Sequence, residues 1–438
     1  ENTMFGIASN TKAFTSAALA ILVDRGQIAW DDKVIDYLPY FELYDPYVTK
    51  NMTVRDLLSH HSGLETFSGD LLWHSTSYSR EEIIQRARFL RPKYGFRSHF
   101  GYSNLMFLTA GEIIPAVTDT SYDDFLQKYF FDPLNMESTN TSIRKFSGID
   151  NLAIPHIKHN GEIIPIKYIS WDNIAPAGGI NSSVSEMTGW LMLQLNRGTY
   201  NGRRYFSEEA SEDMWTPQTP QRIRPSEKML FPSMHLHAYA LGWDVFDYQC
   251  RLVVNHSGGL DGMTSHVALL PEENLGFVIL TNSQNYLSYA LMFKIIDVLI
   301  GIDGDDYSAR ILKLVKMNEA FEEQERKQAE ENRARDTKPS LPLEKYAGIY
   351  HSDLYGDAEL SLVDGKLVLK FLPAPEFISG LDHLQYDIFR VEFKNFPSLP
   401  PGTVEFMITA STNIGQMRID VPNPDFDFTE LRFFKVNE

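Results

Sequence analysis

The stretch "FGIASNTKAFTSAALAILVDRG", residues 5–26, decides how the rest of this chain is read. Phe14, Ala17, Ala18, Ile21 and Leu22 recur at three- and four-residue steps, which predicts a helix from Ser9 that Gly26 stops. Ser9 and Lys12 stand one helical turn apart at its start, so both side chains fall on one face. Two readings of that pair are open. Either Ser9 caps the helix and Lys12 is a surface charge, or Ser9 is a nucleophile and Lys12 its base. Serine needs a base at neutral pH, and burial or neighbouring positive charge equips a lysine to be one. The spacing alone is weak, since a chain of this length holds about one or two such pairs by chance. Ser142 and Lys145 in "TSIRKF" match equally well. Context separates the two: Ser142 lies in a polar, loop-like stretch, whereas Ser9 opens the most apolar helix of the chain. Its N–H there lies at the positive end of the helix dipole, where a developing oxyanion is stabilised.

The 438 residues, 43% hydrophobic and 22% charged, suffice for a large core and two domains. Forty Lys and Arg against 58 Asp and Glu give a formal charge of −18, which repels polyanions and argues against nucleic acid as a partner. No apolar run reaches the roughly 18 residues of a membrane-spanning segment. The one cysteine, Cys250, rules out an intrachain disulfide and a multi-cysteine metal site. His60, His61, His235 and His237 lack a carboxylate at familiar ligand spacing, so they read as core or surface histidines and no metal is expected. Glu1 stands almost on top of the first motif, so upstream sequence, and any export signal within it, is expected to have been trimmed.

Further helix signals are "TVRDLLSHHSGL", with Thr53 as cap, and "SNLMFLTAGEIIPAV" from Ser103. A helix around Tyr122 to Tyr129 and "SSVSEMTGWLMLQLNRG", stopped at Gly198, follow. "RLVVNHSGG", "MTSHVALLP" and "NLGFVILTN" then read as strands, the last two joined by a turn at Pro271–Asn274. Helices beside such strands predict an α/β (α+β) domain over residues 1–303. Residues 304–340 read as a charged helical linker whose second half lacks an apolar stripe. Residues 341–438, with short, evenly spaced strands, predict an all-β antiparallel barrel or sandwich.

The segments "FGIASNTKAFTSAALAILVDRGQIAWDDKVIDYLP", "MTVRDLLSHHSGL", "FGYSNLMFLTAGEII", "PAGGINSSVSEMTGW" and "NHSGGLDGMTSHVALLPEENLGFVILTN" resemble, in order, the class C β-lactamase and penicillin-binding-protein-like serine hydrolase family. Each motif is weak singly; five in order are specific. The resemblance implies a β-lactamase-like domain with an antiparallel sheet flanked by helices, and a Ser9 acyl-enzyme with Lys12 as base. In "YSN" it implies a proton-relaying Tyr102 and an Asn104 that hydrogen-bonds substrate and Lys12. His256, Ser257 and Gly258 occupy the third motif, and Gly259 the position whose N–H completes the oxyanion hole with that of Ser9.

The third motif carries lysine in most β-lactamases and histidine in many esterase and peptidase relatives. Histidine is mostly neutral near pH 7, so a free substrate carboxylate is a poorer handle here. Peptide, amide or ester substrates, D-amino-acid peptides included, are the leading expectation, with a β-lactamase or D-Ala-D-Ala carboxypeptidase as alternative. A catalytically silent protein binding a peptide or peptidoglycan fragment is the rival class. No cofactor is implied. The C-terminal strands resemble the lipocalin-like barrel of some peptidases of this family, which implies a module that covers the active site or builds a homo-oligomer; a stability or assembly module without a ligand is the alternative. The family's strands before the serine motif are missing from this sequence, which would leave a sheet edge unpaired. Periplasm or cell surface is the expected location. His61-Ser62-Gly63 is a second copy of the third motif that reads as a helix terminator through Gly63.

Overall fold

The computed structural model describes residues 1–436. These form two compact units: residues 1–66 with 92–313, and residues 67–91 with the described residues from 314 onward.

In the first unit the apolar stretch forms helix α1 (Thr11–Asp24), whose residues from Thr11 to Leu22 are all buried. Ser9 does not open this helix; it sits in a preceding 3₁₀ turn, Ala8–Asn10. Ala8 enters that turn with φ of +47°, a conformation costly for a residue bearing a Cβ. Helix α2 (Asn104–Thr118) is capped by Ser103, whose hydroxyl accepts the Met106 N–H, and helix α3 (Val184–Leu195) is capped in the same way by Ser183. A fourth helix, α4, spans Leu287–Leu299.

One six-stranded antiparallel sheet frames this unit: β1 (Thr219–Pro220), β2 (His237–Tyr239), β3 (Asp244–Tyr248), β4 (Arg251–Leu260), β5 (Met263–Leu270) and β6 (Leu275–Thr281), adjacent in chain order. The Pro271 turn ends on Asn274 in the left-handed region, as a tight β5–β6 connection requires. Strand β4 pairs with β5 so that Gly258 stands opposite Ser265 and Gly259 opposite Thr264. Ser265 ties the sheet to the turn before α1: its hydroxyl donates to Ile7 O at 2.7 Å and accepts from Asn10 Nδ2 at 2.8 Å.

Two local expectations differ from the structure. The "VRDL" helix ends at Leu57, well before Gly63, because Leu58 already caps it; Gly63 instead occupies a left-handed loop position whose carbonyl accepts from Lys93 and Tyr94 N–H. Ser142 caps a 3₁₀ turn and its hydroxyl donates to Asp172 at 2.9 Å, so the second Ser-x-x-Lys match is a cap.

In the second unit eight strands close an antiparallel barrel: β7 (Gly348–Ser352), β8 (Gly356–Val363), β9 (Lys366–Phe371), β10 (Ile378–Gln385), β11 (Ile388–Val391), β12 (Gly402–Ile408), β13 (Ile414–Asp420) and β14 (Arg432–Lys435). Closure removes the sheet edges. Tyr346, Tyr350, Phe371, Phe377, Phe389, Phe406 and Phe433 are buried and fill the interior. Residues 67–91 belong to this unit. The Glu430 carboxylate accepts from the Ser68 hydroxyl and, at 2.8 Å, from the Gly69 N–H. Tyr78 donates its hydroxyl to Tyr355 O at 2.6 Å, and the His74 ring packs edge-on against Phe426. A helix over Tyr307–Asn332 contains the boundary between the units.

Candidate active site

The Ser9 hydroxyl lies 3.0 Å from Lys12 Nζ, so the partner of this side chain is the lysine. Lys12 is fully buried. Its Nζ also donates to Asn104 Oδ1 at 2.7 Å and to Ala177 O at 2.8 Å. Both oxygens can only accept, so they fix two N–H directions and leave a third tetrahedral direction facing Ser9. The residue before Ala177 is tied to α1 as well: Thr15 donates its hydroxyl to Pro176 O at 2.7 Å.

Tyr102, half-buried, brings its ring to within 4.7 Å of Lys12 Nζ. Its N–H donates to Thr66 Oγ1. Ser9, Lys12, Tyr102 and Asn104 therefore converge, although 92 residues separate Lys12 from Asn104.

His256 is buried and does not present a charge. Its Nδ1 lies 2.6 Å from Ser257 O, an acceptor, so Nδ1 carries the proton. Nε2 then accepts the Tyr239 hydroxyl at 2.8 Å. Burial, with the charge of Lys12 added, pushes the imidazole down to about 3. Gly258 is pressed against the turn that carries Ser9: a methyl group there would come 2.3 Å from Ile7 O and 3.1 Å from Ala8 Cβ. Only a residue without a Cβ permits that approach. Gly259 faces open space, with nothing within 4 Å of a methyl group built on it.

Sequence reasoning missed three participants: the Ala177 carbonyl, the Tyr239 hydroxyl and His60. A backbone acceptor leaves no mark in a sequence, and Tyr239 resembles any strand tyrosine. His60 was read only as a histidine of core or surface. It is fully buried, and its ring centroid lies 4.2 Å from that of Tyr102 and 4.3 Å from that of Tyr239.

Residues 1–293 match the Beta-lactamase family, and residues 332–435 match the family described as a domain of unknown function, DUF3471. The chain belongs to the beta-lactamase family. It is a serine hydrolase of that family, and the DUF3471 segment forms the eight-stranded barrel. An Unguisins hydrolase of Aspergillus campestris is 30% identical over 387 residues, spanning 81% of this chain and 68% of that protein. The octameric penicillin-binding protein homologue from Pyrococcus abyssi shares the fold with a TM-score of 0.62 at 21% identity, over 99% of this chain and 89% of that one. The D-amino acid amidase from Ochrobactrum anthropi, complexed with L-phenylalanine amide, does so with a TM-score of 0.54 at 21% identity, over 72% and 85%. No helix among the described residues is long and apolar enough to cross a membrane.

Proposed function

We propose that this hydrolase cleaves peptide, amide or ester substrates by two-step acyl transfer on Ser9. The observation that carries the reading is the buried Lys12 Nζ, with two carbonyl-type acceptors fixing it and its third direction aimed at Ser9 Oγ. Ser9 Oγ attacks the substrate carbonyl carbon while its proton passes to Lys12. The N–H groups of Ser9 and Gly259 receive the resulting oxyanion, each such donor lowering the barrier by about 3 kcal/mol. Collapse breaks the bond to the leaving group, which takes a proton through Tyr102. Water, deprotonated by the same route, then releases the acyl group. Asn104 holds Lys12 and hydrogen-bonds the substrate.

The neutral, fully engaged His256 supplies no cation for a substrate carboxylate, which favours amides, esters and peptides recognised by other groups, D-amino-acid peptides among them. The relatives named as an Unguisins hydrolase and a D-amino acid amidase agree with that class. The octameric homologue supports a homo-oligomer, assembled here through the barrel.

The test is covalent capture. Incubation with a fluorophosphonate or a penicillin, followed by mass spectrometry, is expected to place an adduct on Ser9 that Ser9→Ala abolishes. p-Nitrophenyl acyl esters are expected to turn over measurably and penicillins slowly. An adduct that survives in Ser9→Ala would overturn the reading; fast cephalosporin hydrolysis without esterase activity would overturn the substrate class.

A further inference from the structure

We infer that His60 is a positioning residue that holds the Tyr102-Ser103-Asn104 turn and the His256 strand in register around Lys12. This rests on the reading of Ser9 as the acylated residue. His60 occupies the left-handed region, with φ of +56°, a conformation that persists in a histidine only where its surroundings over-determine it. Its Nδ1 accepts the Ser103 N–H at 3.0 Å, so the proton resides on Nε2. That Nε2 is buried and has no hydrogen-bond partner among the described residues, a cost the fold tolerates. Burial, with the Lys12 charge added, keeps the imidazole well below its usual range, so the ring remains a neutral acceptor.

The consequences run in two directions. Ser103 is the cap of α2 and is extended, with φ of −133° and ψ of 114°, which turns its two neighbours, Tyr102 and Asn104, to one face of the chain, where both meet Lys12 Nζ. The acceptor on His60 is what satisfies the Ser103 N–H in that extended state. The Gly101 N–H donates to His60 O at 2.8 Å, so backbone and side chain of one residue clamp both sides of Tyr102. The same ring also lies against Tyr239, the donor to His256 Nε2. An apolar aromatic would fill this space but would leave the Ser103 N–H orphaned. A small acceptor would satisfy that N–H and remove the support under both tyrosines.

His60→Phe keeps the ring and loses the acceptor. His60→Asn keeps an oxygen at the place of Nδ1 and suits a positive φ, and His60→Gln carries its oxygen at the place of Nε2. The expected result is a fall in kcat of about tenfold to a hundredfold for a p-nitrophenyl ester in His60→Phe, with KM little changed. Asn, which restores the acceptor but not the ring, recovers part of it, and Gln does not. Hydrogen exchange of the Ser103 amide is expected to quicken in His60→Phe and in His60→Gln and to be restored in His60→Asn, whether or not any ester is turned over. Equal loss in the Asn and Gln variants, or unchanged Ser103 exchange in folded His60→Phe, would overturn the assignment. Absence of a Ser9 adduct in the unsubstituted protein would instead sink the acyl-enzyme reading, while the exchange data still decide the role of His60 in holding the turn. Should His60→Phe fail to fold, the Asn and Gln comparison suffices.

Discussion

Replacing Gly258 by alanine tests whether the spacing between strand β4 and the Ser9 turn sets the reaction rate. The added methyl group would stand 2.3 Å from Ile7 O and 2.4 Å from Ser265 Oγ, against 3.4 Å for ordinary contact, so about 1 Å must open. Neither oxygen can step aside cheaply. Ile7 donates its N–H to Ile180 O at 2.9 Å, and its carbonyl accepts from Ser265, whose hydroxyl is in turn held by Asn10. The strand therefore moves away from the turn that carries Ser9. A misplacement of about 1 Å costs on the order of a hundredfold in rate, or about 2.7 kcal/mol of transition-state stabilisation. Overpacking costs a further 1–3 kcal/mol or so of fold stability. The assay pairs kcat/KM on a p-nitrophenyl ester with urea unfolding, and Gly259→Ala serves as the control for stability, because its methyl group meets nothing within 4 Å. A folded Gly258→Ala protein that acylates at the unsubstituted rate, or a Gly259→Ala protein equally destabilised, would refute the argument.

Stability is expected to fall as pH drops from about 6.5 towards 4. His256 and His266 are held neutral by burial, down to about 3 and about 4, and His60 is shifted in the same direction. The unfolded chain binds these protons below about 6.5 and the native state does not, so each such histidine costs about 1.4 kcal/mol per pH unit across that window. His237, raised by Asp244 despite its burial, acts only above the window, and Asp56, lowered by His61, Arg97 and Thr53 despite its own, only below it. Urea unfolding at pH 7, 6 and 5 checks this, and a flat profile would contradict it. In the barrel, Glu430→Ala is expected to lose about 1–3 kcal/mol and to expose the Gly69 amide to faster hydrogen exchange, since the carboxylate holds both Ser68 and Gly69. Unchanged exchange at Gly69 would show that the carboxylate is dispensable.

Much of this was legible because periodicity and turn chemistry are local. The three-strand run from Arg251 to Thr281 announces itself by alternation and by the Pro271–Asn274 turn, and α1 by its apolar spacing. The even spacing of the C-terminal strands announces an all-β unit, barrel or sandwich, while its closure rests on the pairing of the first strand with the last. The turn at Ser9 was not legible, because a left-handed Ala8 is imposed by contacts from Ile180 and Ser265, far along the chain. Nor was the grouping of residues 67–91 with the barrel. "FSGDLLWHSTSYSREEIIQRAR" has the composition of any partly buried segment, and its anchor at Glu430 obeys no period.

That anchor spans 362 residues of sequence, which constrains the order in which the chain matures on the ribosome. Trp73 and His74 emerge early, yet the aromatic side chains that cover them, Phe377, Phe396 and Phe426, are among the last made. At roughly 5–20 residues per second the segment waits on the order of 20–70 s with its apolar surface exposed, an interval in which a chaperone has time to engage it.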